Sequence, residues 1–251
     1  MIPQTIHYCW FGNNPLSQET LDYIKTWKKH LPEYQIIQWD ESNFDTDSVI
    51  WVKEAIENKK YAFATDYIRL DILYRYGGIY FDTDVEVLQS LDDLLELPYF
   101  IGAENTIHGI NTALIATQPK SPWIKCCLEH YRDRHFLRNG KMDMRVNPEL
   151  IKDTLLKNGY ALNPISTKRE FSFEEKHFNI FPATWFSPKN EDKIELSKDT
   201  YVIHHYLNSW RNEKKTFMNT FKEKVKKNIP HSLMNIILKY KKRKRDLFFD
   251  Q

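Results

Sequence analysis

The sequence contains little cysteine, and this shortage narrows what the protein can be. Among its 251 residues there are only three cysteines, Cys9, Cys126 and Cys127. Two adjacent cysteines on a predicted helix are poorly placed to pair, and one of the three is always left over. We therefore expect no disulfide framework and no zinc site, and a reducing, cytoplasmic compartment.

Signals for membrane crossing and export are also missing. The sequence has no run of about 18 apolar residues, so no membrane-spanning helix is expected. The opening residues Met1-Ile2-Pro3-Gln4 lack the basic start and the apolar stretch that are typical of a signal peptide.

The composition that remains is that of an ordinary soluble domain with a sizeable core. Hydrophobic residues make up 41% and aromatic residues 14% of the chain, while charged residues make up 28%. The net charge of +2 hides an asymmetry, because the segment 222–245 holds ten Lys or Arg residues and one acid. The rest of the chain is therefore acidic, and only the tail is expected to seek an anionic surface.

Apolar patterns and turn signals alternate along the chain, which predicts an α/β fold. No domain boundary is evident before about residue 211, so we expect one domain over 1–211 and a basic helical tail over 212–251. The predicted strands cover 5–10, 34–39, 79–81, 99–103, 112–116 and 201–205. The predicted helices cover 17–30, 49–58, 61–76, 122–136 and 148–158, and two more are expected after residue 213.

The segment 61–76 is the most helix-like part of the sequence. It is apolar nearly all round, which is typical of a buried helix. Gly77-Gly78 supplies a stop, because glycine adopts the left-handed conformation at little cost. A short apolar strand follows, and Asp82 and Asp84 come at its carboxyl end, where open α/β sheets bind ligands.

Asp82 and Asp84 are candidate metal ligands. Alternate residues of an extended segment point the same way, so the two carboxylates face one direction and repel each other unless a cation lies between them. Hard oxygen ligands suit Mg²⁺ or Mn²⁺. Within the preceding helix, Asp66 and Arg69 are one turn apart; they either form a simple ion pair or hold a ligand.

Three segments resemble glycosyltransferase family 32, which includes capsule and lipopolysaccharide sugar transferases and fungal mannosyltransferases. The first is Ala62 through Asp84, with its Asp82-Thr83-Asp84 motif. The others are Ile2 through Gly12 and the segment His204-His205-Tyr206-Leu207-Asn208-Ser209-Trp210. The chain is also similar to the catalytic domains of large clostridial toxins. The resemblance implies a GT-A fold, a mixed sheet flanked by helices, and a retaining enzyme that uses a nucleotide sugar and Mn²⁺ or Mg²⁺.

For the donor, the resemblance implies a role for each of several residues. Trp10 stacks on uracil with Phe11 nearby, and Asp66 and Arg69 hold the donor sugar and its diphosphate side. Tyr80 lies close to the nucleotide, and Asp82 bonds ribose and sugar hydroxyls. Glu104 and Asn111 are weaker candidates for the sugar pocket.

For the metal, the resemblance implies that Asp84 is the direct ligand and that Asp82 approaches the ion. His205 is expected as the second protein ligand, although the doubled His204-His205 leaves the choice open. Asn208 or Ser209 completes the shell, and Trp210 contacts the β-phosphate.

These features predict a hexosyltransferase that acts in bacterial surface polysaccharide synthesis. The donor is a UDP-sugar, with UDP-galactose or UDP-glucose favoured, and the acceptor is a lipid-linked glycan or an oligosaccharide. The apolar and basic pattern of residues 222–249 indicates peripheral contact with an anionic inner leaflet. Two alternatives remain: an effector that glycosylates a protein, and a nucleic-acid-binding module driven by the basic tail. The second leaves Asp82 and Asp84 unexplained, so no nucleic-acid partner is expected.

Overall fold

A mixed five-stranded sheet organises the part of the chain that the computed structural model describes, residues 1–104, 109–190 and 193–207. Its strand order is β2-β1-β3-β6-β5. β1 runs parallel to β2 and β3, whereas β6 runs antiparallel to β3 and β5. The strands of this sheet are β1 (Thr5–Cys9), β2 (Gln35–Trp39), β3 (Gly78–Phe81), β5 (Tyr99–Ile101) and β6 (Leu114–Thr117).

The remaining strands form two-stranded units around this sheet. β4 pairs antiparallel with β13, β9 pairs parallel with β10, and β7–β8 and β11–β12 pair antiparallel. Their bounds are β4 (Val85–Val87), β7 (Leu137–Arg138), β8 (Lys141–Met142), β9 (Ala161–Pro164), β10 (His177–Ile180), β11 (Lys189–Asn190), β12 (Lys193–Ile194) and β13 (Val202–His204).

Helices flank the central sheet, so the predicted α/β class is confirmed. α3 packs against β1 and β3, and α2 and α4 pack against α3. The helices are α1 (Gln18–His30), α2 (Ile50–Glu57), α3 (Tyr61–Tyr76), α4 (Pro122–Glu129), α5 (Asn147–Lys157) and α6 (Ala183–Phe186). None of the helices in the described ranges has the length and the apolar character that crossing a bilayer requires.

α3 follows its prediction from first to last residue. Its C-terminal cap is Gly77 at φ 67°, and the next residue, Gly78, has φ 96°. A Cβ on Gly78 would lie 2.6 Å from the carbonyl oxygen of Thr5, so only glycine lets the chain leave the helix and enter the sheet beside β1. This tight exit places the residues after β3 at the sheet edge.

α4 is shorter than predicted, because it ends at Glu129 rather than near residue 136. Tyr131 and Phe136 are buried, and both pack edge-on against Trp51 of α2, at centroid distances of 5.1 and 5.2 Å. The chain turns after α4 to bury both rings there, and aromatic burial overrides the helical pattern of the sequence. The predicted tail over 212–251 lies outside the described residues.

His7 joins the core of the sheet to the end of α3. Its side chain is buried, its Nδ1 accepts a hydrogen bond from Trp39 Nε1 at 3.1 Å, and its Nε2 lies 3.0 Å from the carbonyl oxygen of Gly77. These partners fix the neutral ring with its proton on Nε2. Burial lowers the pKa of His7 to about 4, although the bond to Gly77 opposes the shift.

We therefore predict that acid weakens the fold through His7. The folded state binds fewer protons than the unfolded state between the ordinary histidine pKa and about 4. Stability is full above the ordinary value and is lost as the pH falls through that window, by about 3 kcal/mol in all. Urea unfolding from pH 7 to pH 4 measures the loss. In His7→Gln, which keeps a donor and an acceptor without titrating, the loss should shrink by that amount; an identical loss in both proteins would contradict the prediction.

Candidate active site

Arg69 and Asp66 form a buried ion pair on the face of α3 that points to the end of β3. Arg69 Nη2 lies 3.1 Å from Asp66 Oδ1, and the two side chains are only 6% and 12% exposed. The two charges can be buried in the helix because each pairs with the other. The sequence left two interpretations of Asp66 and Arg69 open, a simple ion pair or a pair that holds a ligand. The structure contains the ion pair, and it lies next to the Asp-x-Asp segment.

Arg69 also reaches Asp82, so one guanidinium holds two carboxylates. Its Nη1 lies 3.1 Å from Asp82 Oδ1 and donates to the carbonyl oxygen of Thr112 at 2.8 Å. Its Nε donates to the carbonyl oxygen of Thr65 at 3.2 Å, and its planar group lies 4.6 Å from the centroid of the Tyr80 ring. These contacts come from α3, from the end of β3 and from the loop before β6, so Arg69 fixes three parts of the site relative to one another.

The electrostatics of this group follow from its burial and its partners. Burial raises the pKa of Asp66 to about 7, although the charge of Arg69 opposes the shift. Burial alone would lower the pKa of Arg69, but Asp82, Tyr80 and Asp66 together raise it. Arg69 is therefore charged at every physiological pH, and Asp66 titrates close to neutrality.

Tyr80 and Asp82 meet at the carboxyl end of β3. The buried Tyr80 donates its hydroxyl to Asp82 Oδ1 at 3.1 Å, on the same oxygen that faces Arg69. The Asp82 side chain is 30% exposed. Arg69 and Tyr80 thus both donate to Oδ1 of Asp82, and together they fix the orientation of its carboxylate.

The chain that follows β13 wraps around Asp84. β13 pairs with β4 so that His204 stands opposite Val85, next to Asp84 in the chain. The backbone nitrogen of His205 donates to the Asp84 carbonyl oxygen at 3.0 Å, and that of Leu207 donates to Asp84 Oδ2 at 2.8 Å. His204 Nε2 lies 3.5 Å from Asp84 Oδ1. Asp84 is therefore positioned from a segment far along the chain.

Asp84 and His204 shift each other's protonation. Burial alone would raise the pKa of Asp84, but the bonds to His204 and Leu207 lower it. Burial alone would lower the pKa of His204, but Asp84, and to a lesser degree Asp82 and Glu104, raise it. The pair favours an ionised Asp84, which is the form that binds a metal ion, and a protonated His204, which releases its proton when it binds one.

Asp82, Asp84 and His204 form a group that suits a divalent cation. One ligand atom from each of the three lies within 4.8 Å of the other two. Carboxylate oxygens favour Mg²⁺ or Mn²⁺, and an imidazole nitrogen is accepted by Mn²⁺. In addition, His204 Nδ1 is buried, and none of the described residues provides it with a hydrogen-bond partner.

His205, the predicted second ligand, points elsewhere. Its Nε2 lies 2.8 Å from Glu86 Oε2, and its ring stacks on Tyr23 at a centroid distance of 4.6 Å. Successive residues at the end of a strand face opposite sides, so only one of the two histidines can meet Asp84. The structure brings His204 to the aspartates instead of His205.

Trp10 and Phe11 lie beyond the carboxyl end of β1, which runs parallel to β3, so they share the sheet edge with Asp82. Trp10 is half-buried, and its Nε1 donates to the carbonyl oxygen of Asn14 at 2.6 Å. Phe11 is buried and packs in the core. Trp10 therefore keeps surface for a ligand, whereas Phe11 supports the loop from beneath.

The other predicted residues divide into two groups. Asn111 is buried, its Oδ1 accepts from the backbone nitrogen of Ala113 at 2.8 Å, and its Nδ2 donates to the Phe186 carbonyl oxygen at 3.5 Å. Its amide therefore shapes the chain before β6 rather than lining the site. Asn208, Ser209 and Trp210 lie outside the described residues.

Two residues near the site were not singled out by the sequence. Tyr206 places its ring against His204, and Ser187 hydrogen-bonds the Tyr206 hydroxyl. The only signal for Tyr206 was its place within the segment 204–210. Nothing in the sequence near Ser187 indicated a contact with that segment.

Comparison with known proteins agrees with this geometry. Residues 17–101 match the family described as "Glycosyltransferase sugar-binding region containing DXD motif". These residues include α3, Arg69 and the Asp82-Thr83-Asp84 motif. Residues 17–101 are therefore similar to the sugar-binding region of glycosyltransferases, in agreement with the sequence-based prediction of a glycosyltransferase.

Two curated fungal proteins are similar in sequence. Mannosyl phosphorylinositol ceramide synthase SUR1 of Saccharomyces cerevisiae is 28% identical over 151 residues, which cover 55% of this chain and 37% of that protein. Inositol phosphoceramide mannosyltransferase 1 of Schizosaccharomyces pombe is 24% identical over 173 residues, which cover 65% of this chain and 53% of that protein. The chain thus spans about half or less of the length of these relatives.

A solved glycosyltransferase structure is similar in fold to this chain. The PaToxG glycosyltransferase superposes with a TM-score of 0.50 at 20% identity, over 62% of this chain and 69% of that chain. Together with the mixed sheet and its flanking helices, this similarity confirms the predicted GT-A type fold.

We predict that His204, and not His205, controls metal affinity. His204→Ala should weaken Mn²⁺ binding by about 10- to 100-fold, because it removes one of three converging ligands. His205→Ala is the matched control; it removes the neighbouring imidazole, which contacts Glu86, and should leave the affinity nearly unchanged. Titration of Mn²⁺ followed by electron paramagnetic resonance measures both. Loss of affinity in the His205 variant alone would reverse the assignment.

Proposed function

We propose that this chain is a retaining, metal-dependent glycosyltransferase that moves a hexose from a nucleoside diphosphate sugar to a lipid-linked glycan or an oligosaccharide. The observation that supports this most directly is the meeting of Asp82, Asp84 and His204 within 4.8 Å. They meet at the carboxyl end of β3, beside a buried Arg69. The match of residues 17–101 to a glycosyltransferase sugar-binding region points to the same chemistry.

Each of these residues has a role in the proposed reaction. Asp84, Asp82 and His204 would hold a divalent cation, which supplies positive charge next to the departing diphosphate. Arg69 keeps Asp66 and Asp82 in place, and its buried guanidinium adds fixed positive charge to the site. Asp66, held beside Arg69, would hydrogen-bond a hydroxyl of the donor sugar. Trp10 offers its exposed surface to the nucleotide base.

The donor is best sought among hexoses. The sequence resemblance favours UDP-galactose or UDP-glucose, whereas the names of the two fungal relatives specify mannose. We therefore propose a UDP-hexose as the donor and include GDP-mannose as the competing candidate. Retention of the anomeric configuration is part of the proposal, and NMR of the first product formed reads it directly.

The acceptor is proposed to be carried by a lipid. The names of the two fungal relatives specify a ceramide-based lipid as acceptor. For this chain we propose a lipid-linked glycan in bacterial surface polysaccharide synthesis, a setting that rests on the resemblance of residues 2–12 and 204–210. Transfer to a protein instead of a glycan would favour the effector alternative.

We predict that donor hydrolysis requires the ion and Asp84. With Mn²⁺ present, the chain should release the nucleoside diphosphate from one of UDP-galactose, UDP-glucose, UDP-GlcNAc or GDP-mannose, and EDTA should abolish the release. Asp84→Asn should lower the rate about a hundredfold or more, because it weakens a contact worth several kcal/mol.

Glu86→Gln provides the matched control for Asp84→Asn. Glu86 is an acid on β4, two residues after Asp84, but it pairs with His205 rather than with the metal group. Its replacement should leave the rate close to that of the unchanged chain. Activity that persists in EDTA would refute the metal-dependent mechanism, and full activity in Asp84→Asn would refute the assignment of the motif.

We further propose that the enzyme works in the cytoplasm, at the anionic inner leaflet, through residues 222–249. The full-length chain should bind vesicles that contain anionic lipid at low salt and release them at high salt. Neutral vesicles are the control. Replacement of Lys241, Lys242, Arg243, Lys244 and Arg245 by glutamine should abolish binding. Binding to nucleic acid in preference to anionic vesicles would instead favour the alternative that the chain is a nucleic-acid-binding module.

A further inference from the structure

Tyr206 adopts an unusual backbone conformation next to the proposed metal site. Its φ is +56°, in the left-handed region, which a bulky aromatic residue rarely adopts. Such outliers persist only where the surrounding structure holds them, and they cluster at functional sites. The contacts of Tyr206 show what holds it and what it achieves.

The ring of Tyr206 lies against the ring of His204. Their centroids are 3.8 Å apart, with 34° between the two planes. The neighbouring histidine has a looser ring contact, since the rings of Tyr23 and His205 have a centroid distance of 4.6 Å. An imidazole held against a second ring at this distance has little freedom to rotate away from Asp84.

The hydroxyl of Tyr206 is anchored on both sides. Ser187 Oγ lies 2.5 Å from it, and Ser187 is fully buried at the end of α6. Burial raises the pKa of Tyr206, and the charge of Glu104, which hydrogen-bonds the same hydroxyl, adds to the shift, whereas the contact with Ser187 opposes it. The hydroxyl of Tyr206 is therefore held between Ser187 and Glu104.

The backbone of Tyr206 serves the other ligand. The turn through Tyr206 returns the chain toward β4, so that the backbone nitrogen of Leu207 reaches Asp84 Oδ2 at 2.8 Å. One residue before the turn, the nitrogen of His205 reaches the Asp84 carbonyl oxygen at 3.0 Å. Tyr206 therefore confines the His204 ring with its side chain. Its backbone conformation also brings the nitrogen of Leu207 to the Asp84 carboxylate.

We propose that Tyr206 is a positioning residue that aligns His204 and Asp84 for the cation, with Ser187 and Glu104 as its anchors. The proposal rests on the metal-dependent function put forward above. Outer groups that orient metal ligands commonly change metal affinity by about 10- to 100-fold when they are removed. Tyr206 is such an outer group, because its hydroxyl anchors the ring that lies against His204, two residues earlier in the chain.

The test compares two tyrosines that differ in which histidine they touch. Tyr206→Phe keeps the ring and removes the anchored hydroxyl. Tyr23→Phe is the matched control, because it removes a hydroxyl that donates to Glu19 from the ring stacked on His205. The readouts are Mn²⁺ affinity by electron paramagnetic resonance in the presence of saturating UDP, and the imidazole nitrogen coupling to the bound Mn²⁺.

Tyr206→Phe should bind Mn²⁺ about tenfold more weakly and show a reduced or more heterogeneous nitrogen coupling. Tyr23→Phe should match the unchanged chain in both measurements. The thermal midpoint without metal, measured for each variant, separates positioning from general unfolding. Ser187→Ala, which removes one anchor and leaves the phenol in place, should fall between Tyr206→Phe and the unchanged chain.

The outcomes separate this inference from the function on which it rests. If the unchanged chain binds Mn²⁺ with nitrogen coupling and Tyr206→Phe behaves identically, the role of Tyr206 is refuted and the metal site stands. If Tyr23→Phe loses as much affinity as Tyr206→Phe, the effect is not specific to the His204 side, and the role is again refuted. If the unchanged chain binds no Mn²⁺, the metal-dependent function itself is refuted.

Discussion

The site depends on one buried cation, the guanidinium of Arg69. It pairs with both Asp66 and Asp82, at 3.1 Å from each, and it also donates to the backbone at Thr65 and Thr112. Without it, two carboxylates would face each other in a poorly solvated pocket, where unpaired charge is costly. Because its partners lie on α3, after β3 and before β6, Arg69 also ties three elements of the fold together. Stability and site geometry therefore rest on the same side chain.

Local patterns predicted the half of the site that local structure builds. The apolar run before Gly77 gave α3 from first to last residue, and two aspartates after a buried strand gave the carboxylate pair. The expected extended segment was wrong, because residues 82–84 form a turn in which the Val85 nitrogen donates to the Asp82 carbonyl oxygen at 3.1 Å. Asp66 and Arg69 followed from their spacing within the helix. These features need only periodicity and a glycine stop, which a single sequence displays.

The other half depends on contacts between distant segments, which no local pattern encodes. Whether His204 or His205 meets Asp84 is decided by the register of β13 against β4, and a shift by one residue would exchange them. The positive φ of Tyr206 and the burial of Asn111 likewise arise from packing around them. The shortened α4 has the same origin, since buried Tyr131 and Phe136 outweigh helical propensity.

The return of the chain to Asp84 has a consequence for biosynthesis. The bond from Leu207 to Asp84 spans 123 positions of sequence. A chain still emerging from the ribosome holds its Asp-x-Asp segment long before His204 is translated, and closing so long a loop is an entropically costly, late step. A nascent chain therefore lacks the complete group of ligands until His204 has been translated, and the capacity to capture the ion arises only after that point.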